Sequence, residues 1–220
     1  MQPRIHERKE RVRNPGPVAP LCYIRAVIVL GIDPGSRRCG YGVVAREGGR
    51  FLVVESGVLA PGAGRPMPER LAAILDGLAE VIRRTRPGEV SVEQVFSGSS
   101  ARSALVLGQA RGVALAAAAR AGLSVHEYAP AEVKLAFTGS GRASKGQMLR
   151  TARMLLGTVP RLADEADALA LAVCHLARRQ VRALVSARVA GGPSPAAREG
   201  TVAALARLRP SRRDHRRAAQ

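Results

Sequence analysis

Residues 27–36 read VIVLGIDPGS, and this stretch decides how the fold of the whole chain is interpreted. Five of its first six residues are Val, Ile or Leu, a composition typical of a strand that is buried on both faces. The run ends in Asp33 and turns at once through Pro34-Gly35. Because an uncompensated buried carboxylate is costly, one way to retain Asp33 is to bind a cation, and a cation site needs further carboxylates.

The sequence after Asp33 predicts a mixed α/β sheet. Apolar, β-branched segments bounded by turn residues predict four more strands, at 41–45, 51–59, 90–96 and 123–129. Capping residues and helical spacing of apolar residues predict helices at 68–85, 99–121, 144–157 and 162–180, with a Gly-rich loop leading to Ser144. Three strands in a meander, followed by alternating helices and strands, indicate a five-stranded mixed sheet flanked by helices.

Composition divides the 220 residues into one core domain and two basic tails. Residues 1–26 contain six Lys and Arg against two acids, and residues 181–220 contain nine against two, with almost no apolar periodicity. The core, 27–180, carries 20 basic against 13 acidic residues, so positive charge is not confined to the tails. A basic body with disordered basic tails predicts nucleic acid as the partner, and a membrane is disfavoured because no segment is long and apolar enough to span one.

The N-terminal segment and the cysteines bear on the start of the chain and on its compartment. Residues 1–26 contain no targeting signal, so we expect either a misassigned start, with translation beginning at Val27, or a disordered basic arm. Cys22, Cys39 and Cys174 have no metal-ligand spacing and are odd in number, which fits a reducing compartment. We therefore expect a cytoplasmic protein.

Acids near the start of the last predicted helix suggest a second part of the cation site. Residues three apart share a helix face, so Asp164 and Asp167 converge, whereas Glu165 points nearly opposite to Asp167. Acids in a first helical turn also complement the helix dipole, which is the better account of Glu165, and for the pair alone the two interpretations are evenly matched. Glu93 favours the cation because, like Asp33, it lies in an otherwise apolar strand.

Two carboxylates on strands and two on a late helix are what a pair of divalent cations needs. Hard cations such as Mg²⁺ take oxygen ligands, and two of them about 3.5 to 4 Å apart stabilise both the attacking and the leaving oxygens of an in-line displacement. We therefore predict a two-metal site formed by Asp33, Glu93, Asp164 and Asp167.

Four blocks of this sequence, in order, resemble the RuvC family of Holliday junction resolvases. The blocks are GIDPGSRRCGYGVV, VEQVF, LGQARGVA and EADALALAV, and the likeness covers about residues 27–180. The resemblance implies an RNase H-like fold and a homodimeric nuclease that resolves four-way DNA junctions by paired symmetric nicks in DNA recombination and repair. It also implies two Mg²⁺ ions per active site, with Mn²⁺ as a substitute, and the branch-migration proteins RuvA and RuvB as partners. The metal-binding acids of the family fall on the four residues predicted above.

Three residues are predicted to contact DNA. The chain has three lysines against 32 arginines, and Lys134 and Lys145 are the two in the core, which indicates a local need for a compact ammonium group. Lys145 also follows the predicted cap at Ser144, where free helix N–H groups can help to hold a phosphate. The resemblance implies that both lysines face DNA near the cut site and that Phe96 stacks on a base at the opened junction. The alternatives are that the lysines are ordinary surface residues and that Phe96 belongs to the core.

Two other functions match parts of the sequence. An actin-like ATPase also begins with a strand, an Asp and a Gly turn, but it requires a second phosphate loop and an adenosine pocket that the sequence does not supply. A DNA-binding scaffold without catalysis is expected to lack one of the four acids, and all four are present. A junction-cutting endonuclease is therefore the favoured interpretation.

Overall fold

The computed structural model of the protein describes residues 27–47, 49–62, 64–94 and 100–190. The predicted N-terminal arm, most of the predicted C-terminal tail and Phe96 lie outside these residues. The chain divides into two units, Met1–Arg178 and Arg179–Gln220. Of the second unit, residues 179–190 are described, and they are helical.

A five-stranded mixed sheet lies at the centre of the first unit, as predicted. Its strands are β1 Val27–Asp33, β2 Cys39–Glu47, β3 Arg50–Leu59, β4 Glu89–Glu93 and β5 Ser124–Tyr128. Their order is β3-β2-β1-β4-β5; β1, β2 and β3 are antiparallel to their neighbours in the meander, whereas β4 is parallel to both β1 and β5. Because β1 is the central strand, the apolar run of the opening stretch is covered on both faces.

Helices cover both faces of the sheet, and they are α1 Met67–Thr85, α2 Ala101–Arg120, α3 Pro130–Thr138, α4 Lys145–Leu156 and α5 Ala163–Ala190. Alternate residues of a strand point to opposite faces. Leu30 and Ile32 pack with buried residues of α1 and α2, while Val29 packs with buried residues of α3, α4 and α5. By this alternation, Asp33 lies on the face that α5 covers. In the part of the chain that the structure describes, none of the helices combines the length and apolar character needed to cross a membrane.

Two glycines allow the backbone of α5 to approach the sheet very closely. A Cβ atom on Gly31 of β1 would lie 2.0 Å from the carbonyl oxygen of Ala168, and one on Gly40 of β2 would lie 2.0 Å from that of Asp164. Any side chain at either position would therefore push the start of α5 away from the strands.

The prediction of only a Gly-rich loop between the strand at 123–129 and Ser144 was wrong, because Pro130–Thr138 forms α3. Pro130 occupies the first turn, the Glu132 carboxylate accepts a hydrogen bond of 3.1 Å from the N–H of Ala129, and Gly139 ends the helix with a φ of +80°. The buried Val133 and Phe137 are one apolar pair at helical spacing, and nine residues are too few to repeat the pattern.

The end of the last helix also differs from the prediction. α5 continues from the expected end near 180 to Ala190, so the first ten residues of the predicted tail are helical. The sequence contains no Gly or Pro from 181 to 190, and the first such signal is the Gly191-Gly192 pair. Basic composition alone therefore did not mark where the helix ends.

Candidate active site

Adjacent parallel strands bring Asp33 and Glu93 to the same end of the sheet. Each is the last residue of its strand, and the register pairs Ile32 of β1 with Val92 of β4, the residue before each acid. Both acids occupy positions of intermediate burial at the C-terminal edge of the central strands. The two anomalous strand carboxylates of the sequence are therefore neighbours in space.

The first turns of α5 place the second pair of acids over the same edge. The carbonyl oxygen of Asp164 lies against Gly40, which is the β2 residue paired with Asp33. Asp167 is three residues further along α5 and shares the helix face of Asp164. The close helix–sheet contact at Gly40 is thus what brings Asp164 to the strand ends.

The electrostatics of the acids show how near they are to one another. Burial, followed by the charges of Glu93, Asp167 and Asp164, raises the pKa of Asp33 from 3.8 to about 8. Burial also raises the pKa of Glu93 and of Asp167, and a neighbouring acid adds to each rise. The structure therefore brings together all four acids that the sequence predicted, as a cluster in which burial and like charge raise the pKa of three members.

The oxygens of the four acids do not converge on one point. Among the described residues, only Glu89, His126 and His175 bring three candidate ligand atoms within 4.8 Å of one another. No three of the four acids, all of which are described, meet that limit. Their donors are all oxygens, the ligands that hard divalent cations prefer, and such cations retain waters and phosphate oxygens in their remaining positions.

Both predicted lysines lie at the edge of this cluster. Lys134 is on α3, and its charge opposes the rise in the pKa of both Glu93 and Asp167. Lys145 is the first residue of α4, and its charge acts in the same direction on Asp167. The predicted capping box is present, since Ser144 Oγ accepts from the N–H of Gln147 at 3.3 Å and the Gln147 side chain accepts from the N–H of Ser144 at 2.7 Å.

Glu165 faces away from the cluster, as the helix geometry predicted. Its carboxylate accepts hydrogen bonds from Ser56 Oγ at 2.7 Å and from the N–H of Arg161 at 2.9 Å. It therefore ties the start of α5 to β3 and to the preceding backbone. Glu165 therefore has a structural role and does not contribute to the acidic cluster.

Cys39 is a core residue. It is the first residue of β2 and is 1% exposed. Burial raises the pKa of its thiol to about 12. The thiol is therefore a small apolar group at neutral pH, not a reactive one.

Sequence reasoning missed a basic groove beside the acids. Arg38 Nη1 lies 3.9 Å from Asp164 Oδ2, and the Arg38 side chain is 61% exposed. The groove, of about 550 Å³, runs between the β1–β2 turn and the start of α2 and is lined by Gly35, Ser36, Arg37, Arg38, Arg102, Ser103, Val106 and Leu107. The sequence signal for this groove was the Arg37-Arg38 pair directly after GIDPGS. The predicted DNA contact at Phe96 lies outside the described residues.

Comparisons with known proteins agree with this arrangement. A family model described as crossover junction endodeoxyribonuclease RuvC matches residues 29–175. A relative of that name from Anaeromyxobacter sp. (strain Fw109-5) is 71% identical over 203 residues, covering 86% of this chain and 98% of the relative. Its namesake from Anaeromyxobacter dehalogenans (strain 2CP-C) is 73% identical over 194 residues, with the same coverage.

A solved structure also matches. Thermus thermophilus RuvC, in complex with a Holliday junction substrate, is 36% identical and has a TM-score of 0.66, covering 70% of this chain and 96% of the solved one. The match confirms the RNase H-like fold that the sequence resemblance implied. With a matching family model over most of its core and relatives above 70% identity over nearly their whole length, this chain belongs to the RuvC family of crossover junction endodeoxyribonucleases.

Proposed function

We propose that this protein is the endonuclease that resolves Holliday junctions, by paired symmetric nicks, during DNA recombination and repair. The observation that carries the proposal is the cluster of four carboxylates at one edge of the sheet, with the pKa of Asp33 raised to about 8. The solved relative from Thermus thermophilus was captured with a Holliday junction substrate, which supports the same substrate here.

The four acids are proposed as both the metal ligands and the catalytic residues. Enzymes of this family depend on metal ions, and we propose two Mg²⁺ per site, with Mn²⁺ as a substitute. When bound, such a pair of cations stabilises the attacking and leaving oxygens of phosphodiester hydrolysis. The protein contributes four oxygen donors on two strands and one helix, held at intermediate burial and under mutual repulsion until positive charge arrives.

The basic residues around the acids are proposed to hold the substrate phosphates. Lys145, with the free N–H groups of the first turn of α4, would bind the phosphate at the cut site, and Lys134 would reach it from α3; the proximity of both lysines to the acids supports this. Arg37, Arg38 and Arg102 line the groove on the other side and would follow the DNA backbone. Phe96 remains a proposed stacking residue on the strength of the family resemblance.

Two symmetric nicks require two active sites, so we propose a C2 homodimer. The exposed side of α2 supports this, since Leu105 is 66% exposed and Cβ atoms on Gly108 and Gly112 would meet no atom within 4 Å. A second copy of α2 could therefore approach closely there. RuvA and RuvB as branch-migration partners, and a cytoplasmic location, complete the proposal on the basis of the family.

The first test is cleavage of a synthetic four-way junction by the purified protein, with and without Mg²⁺ and with a linear duplex of the same sequence as control. We expect two symmetric nicks in the junction, no cutting without a divalent cation, and no cutting of the duplex. Equal cutting of junction and duplex, or cutting in the presence of a chelator, would contradict the proposal.

The domain boundaries are tested separately by deletion. We propose that 27–180 is the nuclease domain and that 1–26 and the C-terminal segment add mainly positive charge. Removal of residues 1–26 should leave Mg²⁺-dependent junction cutting intact and weaken the salt dependence of DNA binding. Loss of folding, measured by circular dichroism, would show instead that the arm is part of the fold.

A further inference from the structure

A second cluster of metal-ligating side chains lies on the same sheet face as the acids, at the opposite end of β4. It consists of Glu89, the first residue of β4, His126 of β5 and His175 of α5. Glu89 is four residues before Glu93, so the two acids are about 13 Å apart along one strand face. His175 is eight residues beyond Asp167, or about 12 Å along α5. The two clusters are therefore separate, and each takes residues from β4 and α5.

The three side chains converge on one point. The Glu89 Oε2 atom is hydrogen-bonded to His175 Nε2 and lies 3.5 Å from His126 Nε2. The three ligand atoms all lie within 4.8 Å of one another, and the two imidazole rings are 4.3 Å apart between centroids. Register explains the meeting, because β4 residue Ser91 pairs with His126 and shares the strand face of Glu89.

The surroundings match those of a metal-bound histidine. The Tyr128 hydroxyl is hydrogen-bonded to the other ring nitrogen of His175, Nδ1, at 2.7 Å. Such a bond orients the ring and leaves Nε2 directed at the cluster, which is the usual arrangement around a ligating histidine. Ser91, on the same face, is fully buried, and its hydroxyl has no hydrogen-bond partner within the described part of the chain. A water bound to the metal would give that hydroxyl a partner.

From this geometry we infer that Glu89, His126 and His175 form a binding site for a borderline transition-metal ion such as Zn²⁺. Two imidazole nitrogens and one carboxylate are a typical zinc ligand set, whereas Mg²⁺ prefers oxygen ligands alone. With metal–ligand bonds of about 2.0 to 2.1 Å, tetrahedral ligands lie roughly 3.3 Å apart. The distance from Glu89 to His126 is already near that value, and the half-buried His126 side chain, 32% exposed, gives the ion access from solvent.

This inference does not depend on the proposed nuclease function. A metal at this site would join β4, β5 and α5 at the end of the sheet away from the acids, and it would stabilise the folded state because the unfolded chain does not assemble the site. The protein would then hold two kinds of metal ion, separated by ligand chemistry: an oxygen-only cluster and a nitrogen-containing one.

The test is a zinc titration of the full-length chain carrying Asp33→Asn and Asp167→Asn, which removes the acidic cluster as a competitor. A fluorescent zinc chelator reports free Zn²⁺. We expect one equivalent bound per chain, and at least about 100-fold weaker binding when His126→Ala is added. The matched control carries His6→Ala and His215→Ala, at the other two histidines of the sequence, and should still bind one equivalent of Zn²⁺. Full binding by the His126→Ala chain, or none by the parent, would overturn the site.

Thermal unfolding and Co²⁺ spectroscopy make the test independent of any one variant. At about 100 times its Kd, Zn²⁺ should raise the Tm of the parent by roughly 5 to 10 °C, and His126→Ala should abolish the rise. If circular dichroism shows that His126→Ala does not fold, the visible spectrum of the Co²⁺-loaded parent decides. An intense tetrahedral spectrum supports the site, and a weak octahedral spectrum overturns it.

Discussion

The two ends of β4 carry the same residue type in two different chemical settings. At the C-terminal end, Glu93 lies near Asp33 and Asp167, and burial followed by the charge of Asp167 raises its pKa against the opposing charge of Lys134. At the N-terminal end, Glu89 is bonded to His175 and lies beside His126. One end groups carboxylates, with lysines and an arginine only at its edge, whereas the other gives its carboxylate two imidazole partners. The two glutamates of one strand therefore differ in chemistry because their neighbours differ.

The largest expected effect is the loss of junction cutting when an acid of the cluster is replaced. Replacing Asp33, Asp164 or Asp167 with Asn, or Glu93 with Gln, should reduce junction cutting by at least about 1,000-fold, because each change removes a metal ligand. Junction binding should persist, since affinity comes from Lys and Arg contacts to phosphates. Gel-based cleavage and binding assays on the same protein separate the two effects.

The matched control for those variants is Glu165→Gln. The Glu165 carboxylate bonds to Ser56 and to the Arg161 backbone, so this change should leave cutting nearly unaltered. If Glu165→Gln is inactive while Asp164→Asn still cuts, the assignment of the α5 face is wrong.

The next effect concerns the phosphate at the acidic end. Lys145→Ala should slow cutting by roughly 100-fold while weakening binding only a few-fold, because a contact at the reacting phosphate matters more in the transition state than in the bound substrate. Single-turnover rates and binding constants measure the two. Arg153→Ala, in the last turn of α4, is the control and should change neither greatly. Equal losses of rate and affinity in Lys145→Ala would make it an ordinary backbone contact.

The pH dependence of stability tests the raised pKa of Asp33. The pKa of Asp33 is about 8 in the folded, metal-free protein and near 3.8 when unfolded, so the folded state retains a proton that the unfolded chain releases. The free energy of unfolding should therefore fall as pH rises from about 4 to 8, lowering the Tm by roughly 10 to 20 °C. Asp33→Asn should remove most of this fall, and scanning calorimetry in a chelator measures it. An unchanged pH dependence in Asp33→Asn would show that Asp33 does not carry the raised pKa.

The smallest effect is expected in the groove. Arg38→Ala removes a solvent-exposed positive charge near Asp164 and should weaken junction binding about two- to five-fold, with a salt dependence shallower by about one counterion. Fluorescence anisotropy over a range of salt concentrations measures both. If the salt dependence does not change in Arg38→Ala, the DNA backbone does not contact Arg38.

Local sequence signals predicted most of the fold and of the acidic site. Asp33 and Glu93 stood out because each interrupts an apolar strand, and Asp164 and Asp167 because helix geometry places them on one face. The cluster at Glu89 had no such signal. Its three members come from separate elements, and each alone is an ordinary polar residue, so only the strand register and the docking of α5 bring them together. α3 was missed for a different reason, since one apolar pair does not establish a period.

Gly31 and Gly40 are the positions at which α5 docks on the sheet, so they bear on when the folding chain completes its active site. The strands of the meander can pair early because they are consecutive in sequence, but Asp164 and Asp167 join the strand acids only when the α5 backbone reaches the two glycines. Repulsion among the carboxylates opposes that last step, and divalent cations relieve it. We therefore expect a newly made chain with a formed sheet and an undocked α5 to hold DNA without cutting it, so that the metal ion supplies the chemistry and also selects the completed fold.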